Sequence, residues 1–413
     1  MTTSRYGSLT REQLAVLVPE LLLIGQLIDR AGMAWCIAAW GREEMAQIAI
    51  EEWAGASPIY TRRMQRALDY APEVEGAGDV VTIFKGLQLD IGAPPQFMDF
   101  RYEVQDRWHG TFHLDHCGAM MDVEPMGPEY VRSMCHDIED PTFDATAVAS
   151  NPRAQVRPIH RPPRLPADRH PHCAWTVAID DTHPVVEPLA PYHQVRRTAA
   201  ATVTLDPIDP ADEGAADYSG PLVSDIAFAD FSHSALVRIA DEVCLQMHLL
   251  NLSFTIAVRV RSTDEAQAEE IYRKQFVGIA AIAAERIKRA LGLGSGAKDA
   301  LRVMELHPAF NPAAYVHASF SLDSLTVTGG PAAQDSGWLA LCGPGRTSGL
   351  QSLVRAIDPH LDVDVAGSEE SWSLRVVERA DAAEEVSEVA VVRFSTGPSF
   401  EFEARRSIPI TPV

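Results

Sequence analysis

The stretch FRYEVQDRWHGTFHLDHC, residues 100–117, decides how this chain is read. Before it the apolar residues recur at helical spacing. Within it they alternate, with a turn near Gln105-Asp106, so the spacing predicts two strands in a hairpin. Upstream, the pattern predicts helices over 10–30, about 32–54 and 58–70, with polar breaks at Asp29, Arg30 and Gly32. Thr10 stands three residues before Gln13, a capping-box spacing that opens a helix. Downstream, a helix is expected over about 127–136, then a proline-rich loop over 141–172 and a strand over 173–179.

Residues 206–220 (DPIDPADEGAADYSG) are acidic, carry Pro and Gly and show no periodicity, which reads as a linker. The same order of elements then begins again. Helical spacing returns over 232–251 and 263–291, and strand alternation over 314–328 and 337–342. A helix over 347–357 and strands over 371–377 and 389–403 complete the second pass. Arg66-Ala67-Leu68 falls on Arg289-Ala290-Leu291, and Val131-Arg132 falls on Val354-Arg355 at the same offset. Small shifts bring Cys117-Gly118 onto Cys342-Gly343, and Trp175 meets Trp372 once a loop is dropped. The expectation is an α+β fold of two degenerate tandem copies, each with N-terminal helices on an antiparallel sheet, joined as a pseudo-dimer. Its domains are 1–200, an acidic linker 201–222, and 223–413.

At 413 residues the chain is long enough for two cores of about 200 residues each. Hydrophobic content of 46% and charged content of 22% are ordinary for a globular protein. A net charge of −22 would repel nucleic acid and anionic membranes, so neither is expected as a partner. Six cysteines spread over this length do not read as a disulfide framework, which favours the reducing cytoplasm. The apolar run over 14–28 contains Glu20 and lacks a small-residue cleavage site, so it reads as a helix of the fold.

Set against the second copy, the chemistry-bearing residues concentrate in the first. Trp338, Ala340 and Cys342 stand where the first copy has His113, Asp115 and Cys117. Cys135 meets Asp358, and Cys173 meets Glu370. Polar groups at interior positions are costly unless paired or bound to metal. Cys117, Cys135, Cys173 and His113 are therefore the expected metal ligands. The ion is a divalent metal, zinc first, with iron or manganese as alternatives. His113, Asp115, His136 and Asp137 are the expected catalytic groups. The loop arginines, Arg157 and Arg161 foremost, would hold an anionic small-molecule substrate. The loop histidines His170 and His172 read as solvated.

The run Cys117 … Gly127-Pro128-Glu129 … Met134-Cys135-His136-Asp137 … Arg161 … Cys173-Ala174-Trp175 resembles the L-2-amino-thiazoline-4-carboxylic acid hydrolase-like family over about residues 80–180. It departs from that pattern at Pro171-His172, where the family has a glycine-acidic turn. The resemblance implies a hydrolase that opens a ring or C=N-type bond in a small carboxylate compound. Two readings of another kind stand beside the metal-dependent hydrolase. One is a cysteine nucleophile, Cys117 or Cys135, working without metal. The other is a small-molecule sensor with a structural zinc. A homo-oligomer is compatible with all of them.

Overall fold

The computed structural model describes residues 4–394 and 405–411. Its first helix, α1 (Arg11–Trp40), opens where the capping box predicts: Thr10 Oγ1 accepts from Gln13 N–H, and Gln13 Oε1 accepts from Thr10 N–H. The helix does not end at Asp29-Arg30-Gly32. It continues to Gly41, whose φ of +85° lies in the left-handed region open to glycine. Gly32 is a packing residue, since a Cβ there would meet Phe254 and Gln275 of the second half. The second helix, α2 (Arg42–Ala67), is also continuous and carries Pro58 inside it. Both helices are longer than expected because the polar residues along them are buried against α9 and α10 and do not mark a surface turn.

After α3 (Val80–Gln88) come β1 (Met98–Val104) and β2 (His109–Cys117), the expected hairpin. The chain then winds through α4 (Gly118–Val123), α5 (Pro128–Arg132), a π-helical turn at Ser133–Ile138, and α6 (Glu139–Val148). β3 (Ala154–His160) lies inside what reads as loop. It is an edge strand, the one place where Pro158 leaves no ladder hydrogen bond unmade. β4 (Cys173–Ile179) completes an antiparallel sheet of order β1-β2-β4-β3.

Two short helices, α7 (Ala190–Val195) and α8 (Ala199–Thr202), lead to the acidic segment. That segment is strapped to the fold. Lys85 Nζ donates to the carbonyls of Tyr218 (2.7 Å) and Gly220 (2.6 Å), and Tyr218 Oη donates to Gln88 Oε1.

The second half contains α9 (His233–Arg261), α10 (Glu265–Leu291), α11 (Ala297–Leu306), β5 (Ala318–Phe320) and β6 (Ser324–Thr328). It continues with α12 (Ser348–Ile357), β7 (Leu361–Gly367), β8 (Ser371–Glu378) and α13 (Ser387–Phe394). Its antiparallel sheet has the order β5-β6-β8-β7. Two expected strands are absent from it. Residues Trp338–Leu341 form a 3₁₀ turn, because the partner strand for β8 is β6. Residues 387–394 are helical, and the rest of the strand expected over 389–403 lies largely outside the described residues.

The fold is thus α+β with two four-stranded antiparallel sheets. Its centre is helical: α1 packs on α10 and α9, and α2 packs on α9. A contiguous apolar core joins the halves, running from Leu17 and Ile24 through Phe112 and Trp175 to Leu249, Ile282 and Trp372. α9 is long and apolar enough to cross a membrane by length and composition, and most of it is buried among the other helices.

Gly25 shows how tightly α1 meets the loop after α3, since a Cβ there would lie 2.5 Å from Ile91 Cβ. Alanine in an open helix gains about 1 kcal/mol over glycine. Here Gly25→Ala is expected to lose about 1–3 kcal/mol through overpacking, read by chemical denaturation. A stabilised variant would refute the contact.

Candidate functional site

Strand β2 separates the residues that the sequence groups together. Gly110, Phe112 and Leu114 face the core. His113 and Asp115 face the other way and stay nearly half exposed, at 43% and 46% of their side chains. Phe100 pairs with Leu114, but Met98 pairs with Cys117, so β2 carries one extra residue at Asp115-His116. This β-bulge reverses the alternation and returns Cys117 to the core. There its sulfur caps α4, accepting from Met120 N–H at 3.4 Å. His113 and Asp115, 3.4 Å apart, join Arg101 on the far face instead.

Cys117, Cys135 and Cys173 are all buried and free. Burial, reinforced by the nearby Glu139 carboxyl, pushes all three thiols up, Cys117 to about 12. Among the described residues no three His, Cys, Asp or Glu side chains are arranged to hold a metal ion. His113 lies on the face of β2 opposite Cys117, because the bulge between them returns Cys117 to the core. His136 Nε2 lies 2.6 Å from the carbonyl of Pro162, and the exposed Asp137 is 4.0 Å from Arg132. The loop arginines do not converge. Arg157 pairs with Asp144 at 2.8 Å, Arg161 with Asp140, and Arg164 with Glu124. His172, expected in solvent, is buried, and burial first, then the Arg164 charge, lowers it to about 4.

A different set of residues does converge. A partly open pocket of about 90 Å³ is walled by Asp29 and Arg30 of α1, Trp53 of α2, Asp90 after α3, and Met134 and Glu139 around the π-turn. Trp53 Nε1 donates to Asp29 Oδ1 at 3.2 Å, and Asp29 Oδ2 lies 3.8 Å from Arg30 Nε. Arg30 is only 8% exposed. Its Nε has no acceptor within hydrogen-bonding distance, and its Nη2 meets nothing better than Met134 Sδ at 3.9 Å. A guanidinium has five N–H donors, so this one is badly under-satisfied.

The carboxyls around it are also incomplete. Asp90 Oδ1 accepts from Tyr60 Oη (2.9 Å) and Gly92 N–H (2.7 Å), while its buried Oδ2 has no partner. Burial raises Asp90 to about 6 against the pull of those two donors. Glu139 Oε2 is buried without a partner, and burial raises that carboxyl to about 8 although Arg161 opposes it. Asp29 is raised by burial and opposed by Arg30. Behind it the fully buried Glu52 is pushed far up by burial and by Asp29.

The π-turn makes this arrangement possible. Its wider winding lets Met134, Ile138 and Glu139 all reach the cavity wall while Cys135 stays in the core. The sequence carried one signal for the cavity: a charged pair, Asp29-Arg30, in the middle of an apolar helix. No family model matches the chain, and no curated protein or solved structure matches it.

Two measurements follow from these environments. Glu139 sits near 8 when folded against an ordinary 4.5, so its neutral form is favoured by folding. Its stabilising contribution is complete below about 4.5 and is lost as pH rises to about 8. Relative to wild type, Glu139→Gln is expected to gain stability steadily over that window, by at most about 1.4 kcal/mol per pH unit, and to level off above it. A pH-independent difference in denaturation midpoint would show that Glu139 ionises freely. The buried thiols should resist iodoacetamide in the native protein at neutral pH and react fully once it is denatured. Rapid native labelling of Cys135 would contradict this.

Proposed function

We propose that the chain is a hydrolase whose active site is this pocket, acting on a ring C=N or amide-type bond of a small carboxylate compound. The observation that carries this reading is Arg30: a buried guanidinium with open donors, in a pocket whose wall also holds carboxyls near 6 and near 8. A bidentate carboxylate supplies the acceptors that Arg30 lacks. Near pH 7 Asp90 is ionised and Glu139 is protonated, so one is set as base and the other as acid.

Asp90 Oδ2 takes a proton from water as the water oxygen adds to the electrophilic carbon. Glu139 gives its proton to the nitrogen of the C=N bond. As the adduct collapses, its new hydroxyl returns a proton to Glu139 and becomes the carbonyl, while the departing nitrogen takes the proton held by Asp90 and the C–N bond breaks; both carboxyls are restored with one water consumed. The class of reaction is the one that the resemblance to the L-2-amino-thiazoline-4-carboxylic acid hydrolase-like family implies, moved from the cysteines to the carboxyls.

The same reading makes the halves degenerate tandem copies. Both sheets share one strand order, and two long helices precede each. Counted from the N-caps Thr10 and Ser232, Asp29 falls on Asn251. Counted from Gly41 and Asp264, Glu52 falls on Gln275. Asn251 Nδ2 donates to Gln275 Oε1 at 2.9 Å. The second half therefore carries neutral amides where the first carries acids, as a scaffold copy would.

Turnover of 2-amino-thiazoline-4-carboxylate, followed by mass spectrometry of the ring-opened product, tests the proposal. The rate should rise through about pH 6 and fall through about pH 8. Glu139→Gln and Asp90→Asn should each lower kcat by about 10²–10⁴-fold, and Arg30→Gln should chiefly raise KM. Turnover that survives all three substitutions would place the chemistry elsewhere, and binding without turnover would make the cavity a receptor site.

A further inference from the structure

A second cavity of about 270 Å³ lies beside the acid–base pocket, and Arg30, Met134 and Ile138 belong to the walls of both. Its character is different. Met33, Ile37, Met45 and Met126 line it, together with Val391 of α13. Met126 is 45% exposed, which places it at the rim, whereas Met33 and Met45 are buried. Its acid, Asp122, has a buried oxygen without a partner, and burial raises that carboxyl to about 7. The chamber therefore offers little to a charged group except at Arg30, where it joins the first pocket.

We infer that the ligand of this protein is amphiphilic: its carboxylate docks on Arg30, and an unbranched aliphatic tail fills the methionine-lined chamber. This rests on the anchoring role of Arg30 in the reading above and adds the part of the ligand that the small pocket cannot hold. Methionine is unbranched and polarizable, and a wall of methionines adapts to a flexible chain better than to a rigid plane. The aromatic ring in the wall, Tyr130, has the Arg42 guanidinium over it at 5.9 Å, which leaves the chamber poorly suited to stacking a planar group. Arg30 sits at the junction with its Nε unpartnered, so head and tail meet where the two cavities do.

Titration calorimetry of the purified protein with straight-chain carboxylates, from acetate to dodecanoate, is the test. Affinity is expected to rise about fourfold per added methylene and then reach a plateau when the chamber is full. Arg30→Gln should weaken the whole series, and the methyl esters should bind wild type as poorly as the acids bind that variant. Ala34→Trp, which narrows the chamber, should cut long-chain affinity and spare the short acids. Met126→Lys at the exposed rim does the same with little risk to folding. Affinity independent of chain length, with Arg30 still required, would overturn the tail and leave the acid–base reading standing. Chain-length dependence with turnover indifferent to Glu139→Gln would sink the acid–base reading and leave the amphiphilic ligand.

Discussion

Arg30 is a charge held largely out of water, and the surrounding structure is arranged to tolerate that. An ion moved into the interior loses several kcal/mol of hydration, so it must find partners or lose its charge. Arginine does not lose its charge, whereas carboxyls can. Around Arg30 the fold places Asp29, Asp90, Asp122 and Glu139, each raised by burial toward its neutral form. The result is a permanent cation among acids that hold their protons more tightly than usual. Trp53 satisfies Asp29 Oδ1, Tyr60 and the Gly92 amide share Asp90 Oδ1, and one oxygen each of Asp90, Asp122 and Glu139 is buried without a partner.

Two local irregularities make room for this cluster. The bulge in β2 turns Cys117 inward and leaves His113 and Asp115 on the outer face. The π-turn adds a residue's worth of winding between α5 and α6, so that Met134 and Glu139 line the cavity while Cys135 is packed away. Each is a one-residue event that reassigns which side chains share a space. The cysteines consequently serve as core atoms and as the cap of α4.

The helical core of the second half buries polar side chains as well. There Asn251 Nδ2 donates to Gln275 Oε1 at 2.9 Å, while Asn251 Oδ1 is buried without a partner. Gln275 also donates to the carbonyl of Ile28, so α10 buttresses the middle of α1.

Local patterns are what the sequence alone determined. Apolar spacing and the Thr10 capping box defined the start of α1, strand alternation defined the β1–β2 hairpin and β4, and the repeated order of helices and strands foretold two sheets in an α+β fold. These are near-neighbour properties, set by backbone periodicity and capping. The site was another matter. Asp29-Arg30 read as a helix break, since a charged pair ordinarily marks a surface, and only the packing of α2, α6 and the Asp90 loop around it made it a centre. The grouping of His113 with Cys117 rested on unbroken alternation. A single extra residue against β1 voided it, and no feature of β2 by itself shows where the partner strand slips. Tertiary structure decided the site because burial and register depend on what lies opposite, and what lies opposite is far away in the chain.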